Sequence, residues 1–223
     1  MPSILTIQGD QNGFTISSQG GWFAISEKAD AHRNDLVFNI YPQDLVISPQ
    51  QPANMVYKMN FHVDGGCRRN GQHYNVIGAA AAVWKGRYSD KYRTRGLPPA
   101  GYYYSPEPTN QRAELTAVIM ALEWALERYS QLNGCPRARV RIYSDSQYAV
   151  NCMTMWIYNW ANNGWQSARG CEVANRDLME WASALDVEVR KLGSLRYVWV
   201  PRRQNRFADQ YCNERLNEME RYF

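Results

Sequence analysis

Four acidic residues of this 223-residue chain sit in similar local settings. Asp64 and Asp145 each close an alternating run, and Glu114 and Asp209 fall in the first turns of helical patterns. Taken singly, an acid at a strand end or in a first helical turn is ordinarily a cap or a partner of the helix dipole. Such positions can also converge at one edge of a mixed sheet, and grouped carboxylates can do chemistry that none does alone. Hard oxygen ligands hold Mg2+ while leaving room for a phosphate and a water, which is what phosphodiester hydrolysis requires.

The elements that must position these acids follow from periodicity. Tyr57, Met59, Phe61 and Val63 share one face and Lys58, Asn60, His62 and Asp64 the other, so a half-buried strand is predicted, ended by Gly65-Gly66. Residues 76–84 form a second strand-like stretch, although their Ala run fits strand or helix by pattern alone. The basic segment 85–108 is expected to form an edge hairpin with a loop. Thr109 or Asn110 caps a helix reaching about Tyr129, because Leu115, Val118, Leu122, Ala125 and Tyr129 recur at helical spacing. Residues 139–143 alternate again and run into Ser144-Asp145-Ser146. Helices are expected over 146–161 and 173–191, a short buried strand over 195–200 and a terminal helix over 206–221.

Residues 1–50 alternate short apolar runs (4–7, 14–16, 22–25 and 36–40) with Gly, Asn and Asp breaks, a pattern of strands and turns with no motif that carries chemistry. The polar stretch 48–54, with Pro49 and Pro52, is expected as a linker. The expected organisation is thus a strand-rich extension over 1–55 followed by one domain over 56–223.

Composition narrows the function classes. Residues 1–55 carry two basic against five acidic residues, and the remainder 23 against 16, so the larger part is moderately basic and suits a nucleic-acid partner. Eight Trp and fifteen Tyr exceed what a minimal core needs, leaving rings for a ligand. Five scattered cysteines without a CxxC pair indicate neither a disulfide framework nor a zinc site, and point to a reducing compartment. No apolar run approaches the roughly 20 residues that span a bilayer, and the N-terminus lacks a secretory pattern. A soluble intracellular protein, cytoplasmic or nuclear, with no membrane partner is expected.

Local sequence decides what the four acids are for. Val63-Asp64-Gly65-Gly66, Thr109-Asn110-Gln111-Arg112-Ala113-Glu114-Leu115, Ser144-Asp145-Ser146-Gln147-Tyr148 and Asn205-Arg206-Phe207-Ala208-Asp209 resemble the four catalytic segments of type 1 ribonuclease H, in that family's order and spacing. The segment from Trp156 to Trp165, followed by Val173-Ala174-Asn175-Arg176-Asp177-Leu178, resembles its substrate-channel region, and the likeness spans roughly three quarters of the chain. The resemblance implies an α/β fold, a five-stranded mixed sheet with helices on both faces. It implies that Asp64, Glu114, Asp145 and Asp209 are the catalytic residues and ligate two Mg2+ ions, for which Mn2+ can substitute. It implies endonucleolytic cleavage of the RNA strand of an RNA/DNA hybrid, leaving 5'-phosphate and 3'-hydroxyl ends, with double-stranded RNA as a further candidate substrate.

By the same resemblance, Gly65, Asn110 and Gln111 contact the hybrid, the last two at the minor groove, where the 2'-hydroxyl separates RNA from DNA. Thr109 and Asn175 match positions that grip a DNA phosphate. Tyr148, Trp156 and Trp160 match channel aromatics, with core packing an almost equal expectation for the two Trp residues. Two departures stand out. Glu107 occupies a position where the family often has a phosphate-binding Arg. The chain also resembles eukaryotic members that lack the family's common His-bearing loop, having only the turn Pro201-Arg202-Arg203-Gln204-Asn205, while His32, His62 and His73 lie elsewhere in sequence. Arg202 is the candidate stand-in; it cannot act as a general base, but it can steady phosphate charge.

Two other classes compete with the hybrid nuclease. A catalytically weakened nucleic-acid binding module on this fold would have no need to crowd four acids beside phosphate. A DNA strand-transfer enzyme of the wider superfamily would share the acids but not the Asn110-Gln111 pair or the Trp-rich segment. Because every catalytic segment follows Tyr57, a chain lacking residues 1–50 is expected to fold and to cut hybrid. A truncation that is insoluble until the missing segment is supplied in trans would show the extension to be part of the core.

Overall fold

The computed structural model describes residues 6–10, 13–18, 21–24, 56–72, 75–86, 88–101 and 106–222, with side chains from residue 56 onward. The chain divides into two units, Met1–Pro49 and Gln50–Phe223. In the first, β1 (Thr6–Asp10), β2 (Gly13–Ser18) and β3 (Gly21–Ala24) form an antiparallel sheet in that order, with Ile7 opposite Ile16 and Ile16 opposite Phe23. The strand expected over 36–40, the linker over 48–54, His32 and His73 lie outside the described residues.

The second unit is built on a five-stranded mixed sheet. Its strands are β4 (Val56–Arg68), β5 (Ile77–Trp84), β6 (Lys91–Gly96), β7 (Arg137–Ser144) and β8 (Gly193–Trp199), in the order β6-β5-β4-β7-β8. β6, β5 and β4 are antiparallel neighbours, while β4, β7 and β8 run parallel. The Ala run that sequence left ambiguous is a strand, and its alternation explains the choice. Ala80 and Ala82 enter the large core with α1 (Asn110–Ser130), whereas Ile77, Ala79 and Ala81 enter a second cluster with Cys212 and Leu216 of α5 (Arg206–Glu220). Small side chains on both faces of β5 let a helix close from each side of the sheet.

Some boundaries differ from the expected ones for identifiable reasons. β4 continues past Gly65-Gly66 to Arg68, because those glycines find ladder partners in Ala80 and Ala79. The helix expected over 146–161 is three pieces, α2 (Gln147–Asn151), a π-helical turn (Cys152–Trp156) and α3 (Ile157–Asn162). Such turns are rare and recur at functional sites. α4 (Arg176–Leu192) starts three residues late because Asn175 takes the left-handed conformation, φ 59°. No helix among the described residues is long and apolar enough to cross a membrane, and all five cysteines are free.

α4 passes into β8 without a loop. Gly193 makes the junction at φ 155°, where a Cβ would lie 2.1 Å from the Ala138 carbonyl oxygen and 2.9 Å from its nitrogen. Both obstacles are backbone on β7, so Gly193→Ala is expected to destabilise the protein by about 3 kcal/mol. Urea unfolding measures this, and an unchanged midpoint would refute the reading.

Candidate active site

The site forms where β4, β7, α1 and α5 meet. Asp64 projects from β4 toward the α5 side and is 7% exposed. Gly65, its neighbour, points its hydrogen at the first turns of α1. A Cβ there would lie 2.1 Å from the Ala113 carbonyl carbon and 2.2 Å from the Glu114 nitrogen. The helix backbone thus rests directly on the strand, and this contact sets Glu114 beside Asp64. The helix starts where it does because the Thr109 hydroxyl accepts from the Arg112 amide at 3.2 Å, a side-chain N-cap.

Asp145 follows the last residue of β7. The buried Asn205 donates through Nδ2 to Asp145 Oδ1 at 2.6 Å and to the Val63 carbonyl at 2.8 Å, tying the turn before α5 to both central strands. Trp199 Nε1 donates to the Asp145 carbonyl at 3.1 Å. Asp209, in the first turn of α5, is ion-paired with the exposed guanidinium of Arg202. Sequence reasoning gave Asn205 no role. The available signal was an Asn at the helix N-cap position, four residues ahead of the last acid.

The electrostatics are those of a crowded acid cluster. Burial, then the charges of Asp145 and Asp209, push the Asp64 carboxyl up to about 7, with Arg202 opposing. Burial, then Asp64 and Asp145, push Glu114 up to about 9, against a hydrogen bond from the Gly65 amide. Glu114 Oε2 is buried without a hydrogen-bond partner. Among the described residues, no three His, Cys, Asp or Glu side chains stand arranged to hold a metal ion as they are. The donor set nonetheless fits a hard divalent cation: oxygen ligands only, an orphaned buried carboxylate oxygen, and excess negative charge that such an ion would relieve.

The residues singled out for substrate contact fall into one neighbouring patch. Asn110 Oδ1 accepts from the Cys67 amide at 2.7 Å, and Gln111 beside it is exposed. Asn175, in its left-handed conformation, donates to the Tyr148 hydroxyl at 3.2 Å and accepts from Arg112 at 3.3 Å. Arg112, another residue that sequence reasoning left without a role, forks onto Asp177 at 2.9 and 2.5 Å and holds its carboxyl below the usual range. Tyr148, Trp156 and Trp160 make a chain of rings with centroids 6.0 and 5.5 Å apart, partly buried against the core. Glu107 is exposed. His62, distant in sequence from the shortened turn, lies on the same face of β4 as Asp64, stacked on Tyr143 at 4.8 Å.

The family profile for RNase H matches residues 57–216. The chain belongs to the ribonuclease H family. A ribonuclease H of Acidithiobacillus ferrooxidans is 34% identical over 156 residues, covering 70% of this chain and 83% of the relative. Ribonuclease HI of Haemophilus influenzae is 31% identical over 160 residues, covering 72% and 88%. Among solved structures, LC9-RNase H1, a type 1 RNase H with the type 2 active-site motif, superposes with a TM-score of 0.51 at 25% identity, covering 72% of each chain. This chain is accordingly a type 1 ribonuclease H, and the five-stranded sheet with helices on both faces is that family's fold.

The cluster's charge makes a pH prediction for the metal-free enzyme. Asp64 and Glu114 hold protons in the folded state that they lose near pH 4 when unfolded. The folded protein binds more protons between about pH 4 and 9, so stability is full below that window and falls as pH rises through it. Asp177, held low by Arg112, acts in the opposite sense and only below about pH 4. Glu114→Gln is expected to raise the metal-free Tm at pH 8 by about 3–5 °C and to flatten its pH dependence. A parent Tm that climbs from pH 5 to 8 would contradict the cluster's assigned charges.

Proposed function

We propose that this ribonuclease H hydrolyses the RNA strand of RNA/DNA hybrids at Asp64, Glu114, Asp145 and Asp209, leaving 5'-phosphate and 3'-hydroxyl ends. The observation that carries the reading is the mutual charge stress of Asp64 and Glu114 beside Asp145 and Asp209, in a family of divalent-metal nucleases. The four carboxylates would hold two Mg2+ ions, or Mn2+ in their place. Such ions supply charge neutralisation at the scissile phosphate and a water of lowered pKa.

The chain's own residues do the rest. Gly65 and the N-cap at Thr109 place Glu114 against Asp64, and Asn205 orients the Asp145 carboxylate. Asn110 and Gln111, at the start of α1, would reach 2'-hydroxyls of the RNA strand. Thr109 and Asn175 would take a phosphate of the DNA strand, with Arg112, forked onto Asp177, holding Asn175 in place from behind. Tyr148, Trp156 and Trp160 would line the channel for deoxyribose. Arg202, paired with Asp209, balances the acid cluster and would steady phosphate in place of a loop histidine.

Asp145→Asn keeps the side chain's shape and removes a ligand charge, so it is expected to lower hybrid cleavage at least about 100-fold with folding intact. Labelled RNA/DNA hybrid, double-stranded RNA and duplex DNA, each with Mg2+, Mn2+ or EDTA, read this out. Cleavage by the variant at the parental rate, or by the parent in EDTA, would overturn the assignment.

A further inference from the structure

One face of the C-terminal sheet is cationic away from α5, which packs on β4, β5 and β6. Beyond it, Lys58 of β4 stands opposite Arg139 of β7, and Arg141 of β7 opposite Arg196 of β8. Alternation puts all four on the face opposite the core positions Met59, Val140, Ile142 and Leu195. Lys58, Arg139 and Arg196 are exposed and Arg141 is half-buried. Like charges directly opposed on neighbouring strands cost stability. Many cations elsewhere, though not all, are neutralised: Arg93, Arg95, Arg112, Arg176, Arg190 and Arg215 each hold a carboxylate. Among the described residues, none of the four on this face has an ion-pair partner.

The face leads to the acid cluster. Lys58, Asn60, His62 and Asp64 alternate along one side of β4, so Lys58 lies about 20 Å from Asp64 at roughly 3.3 Å per residue. The stacked rings of His62 and Tyr143 stand between them. Arg139 and Arg141 are about 6.6 Å apart along their strand, close to the repeat of phosphates on an extended polynucleotide. Cations tracking a backbone, interrupted by aromatic rings, make the usual platform for single strands.

We propose that this open sheet face binds the sugar-phosphate backbone of a single strand, RNA or DNA, that runs off the hybrid at the cleavage centre. It rests on the proposed function only for where the strand comes from. The acidic residues of segment 1–55 are the competing occupant, but they would make no use of the ring pair between the cations and the carboxylates.

The test is binding by the full-length protein in EDTA, which needs no turnover. The probes are a blunt labelled hybrid and the same hybrid with a single-stranded tail of about 12 nucleotides, of RNA or of DNA, at either end. The parent is expected to bind at least one tailed hybrid about tenfold more tightly than the blunt one. R139Q/R141Q/R196Q should lose that advantage while keeping blunt affinity within about twofold. Three lost phosphate contacts at about 0.7 each reduce the salt slope by about 2, so between about 50 and 200 mM salt the parent's tailed complex weakens about 16-fold more than the variant's. The idea fails if no tail helps the parent, if the triple variant keeps the advantage, or if K91Q/K191Q/R221Q, with the same charge removed elsewhere, loses it equally. A triple variant that binds hybrid more tightly than the parent would overturn it in favour of the acidic segment as occupant. Absence of Mg2+-dependent cleavage of blunt hybrid by the parent would instead sink the proposed function, leaving the binding comparison readable.

Discussion

The site depends on one steric condition: no side-chain atom stands between β4 at Gly65 and the first turns of α1. The helix backbone occupies the space a Cβ would need. From that contact follow the seating of Glu114 beside Asp64, the burial of Ala113 and Leu115 in the main core, and the Gly65 amide's hydrogen bond to the Glu114 carboxylate. The opposite side of the same strand repeats the principle more loosely, with Leu216 and Cys212 of α5 against Gly66. Two adjacent glycines thus let a helix approach from each face at the point where the acids are needed.

That closeness is bought against electrostatics. Asp64 is buried and Glu114 half-buried beside it, and the countercharges within reach are few: Arg202 opposes both, from an exposed position, while Asn205 gives Asp145 only a neutral donor. The contrast with Asp186 is instructive. That residue is 2% exposed yet fully engaged, accepting from the Tyr197 hydroxyl at 2.8 Å and from Arg190 Nε at 2.6 Å, with the Tyr158 hydroxyl at 3.3 Å. One buried acid is satisfied by protein groups and joins α3, α4 and β8; the other cluster keeps an oxygen of Glu114 unsatisfied. The difference separates an acid that serves architecture from acids arranged to receive a ligand.

Much of this was legible in sequence because it depends on local pattern. The alternation at 57–64 and the helical spacing at 115–129 gave element type, and the resemblance gave their assembly. The extension of β4 through its glycines was not legible, since Gly65 and Gly66 read as breakers until their partners on β5 are known. The π-helical turn at Cys152–Trp156 leaves no signature in a periodicity that reads as one helix. Asn205 and Arg112 escaped for another reason: their partners, Val63, Asp145, Asn175 and Asp177, lie 60 to 142 residues away. Hydrogen bonds of that span are products of topology, which single-sequence pattern does not encode.

The direct junction of α4 and β8 at Gly193 bears on how the chain tolerates being lengthened or cut. An inserted residue there has nowhere to go, because Gly193 already lies against the Ala138 backbone and β8 must begin its pairing with β7 at once. The segment between α3 and α4 is different in kind: Gly164 and Gly170 have open space where a Cβ would be, and much of the stretch is exposed. Grafted loops, tags or new chain termini therefore have a permissive entry near Gly170 and a forbidden one at Gly193, although the two lie at opposite ends of the same helical segment.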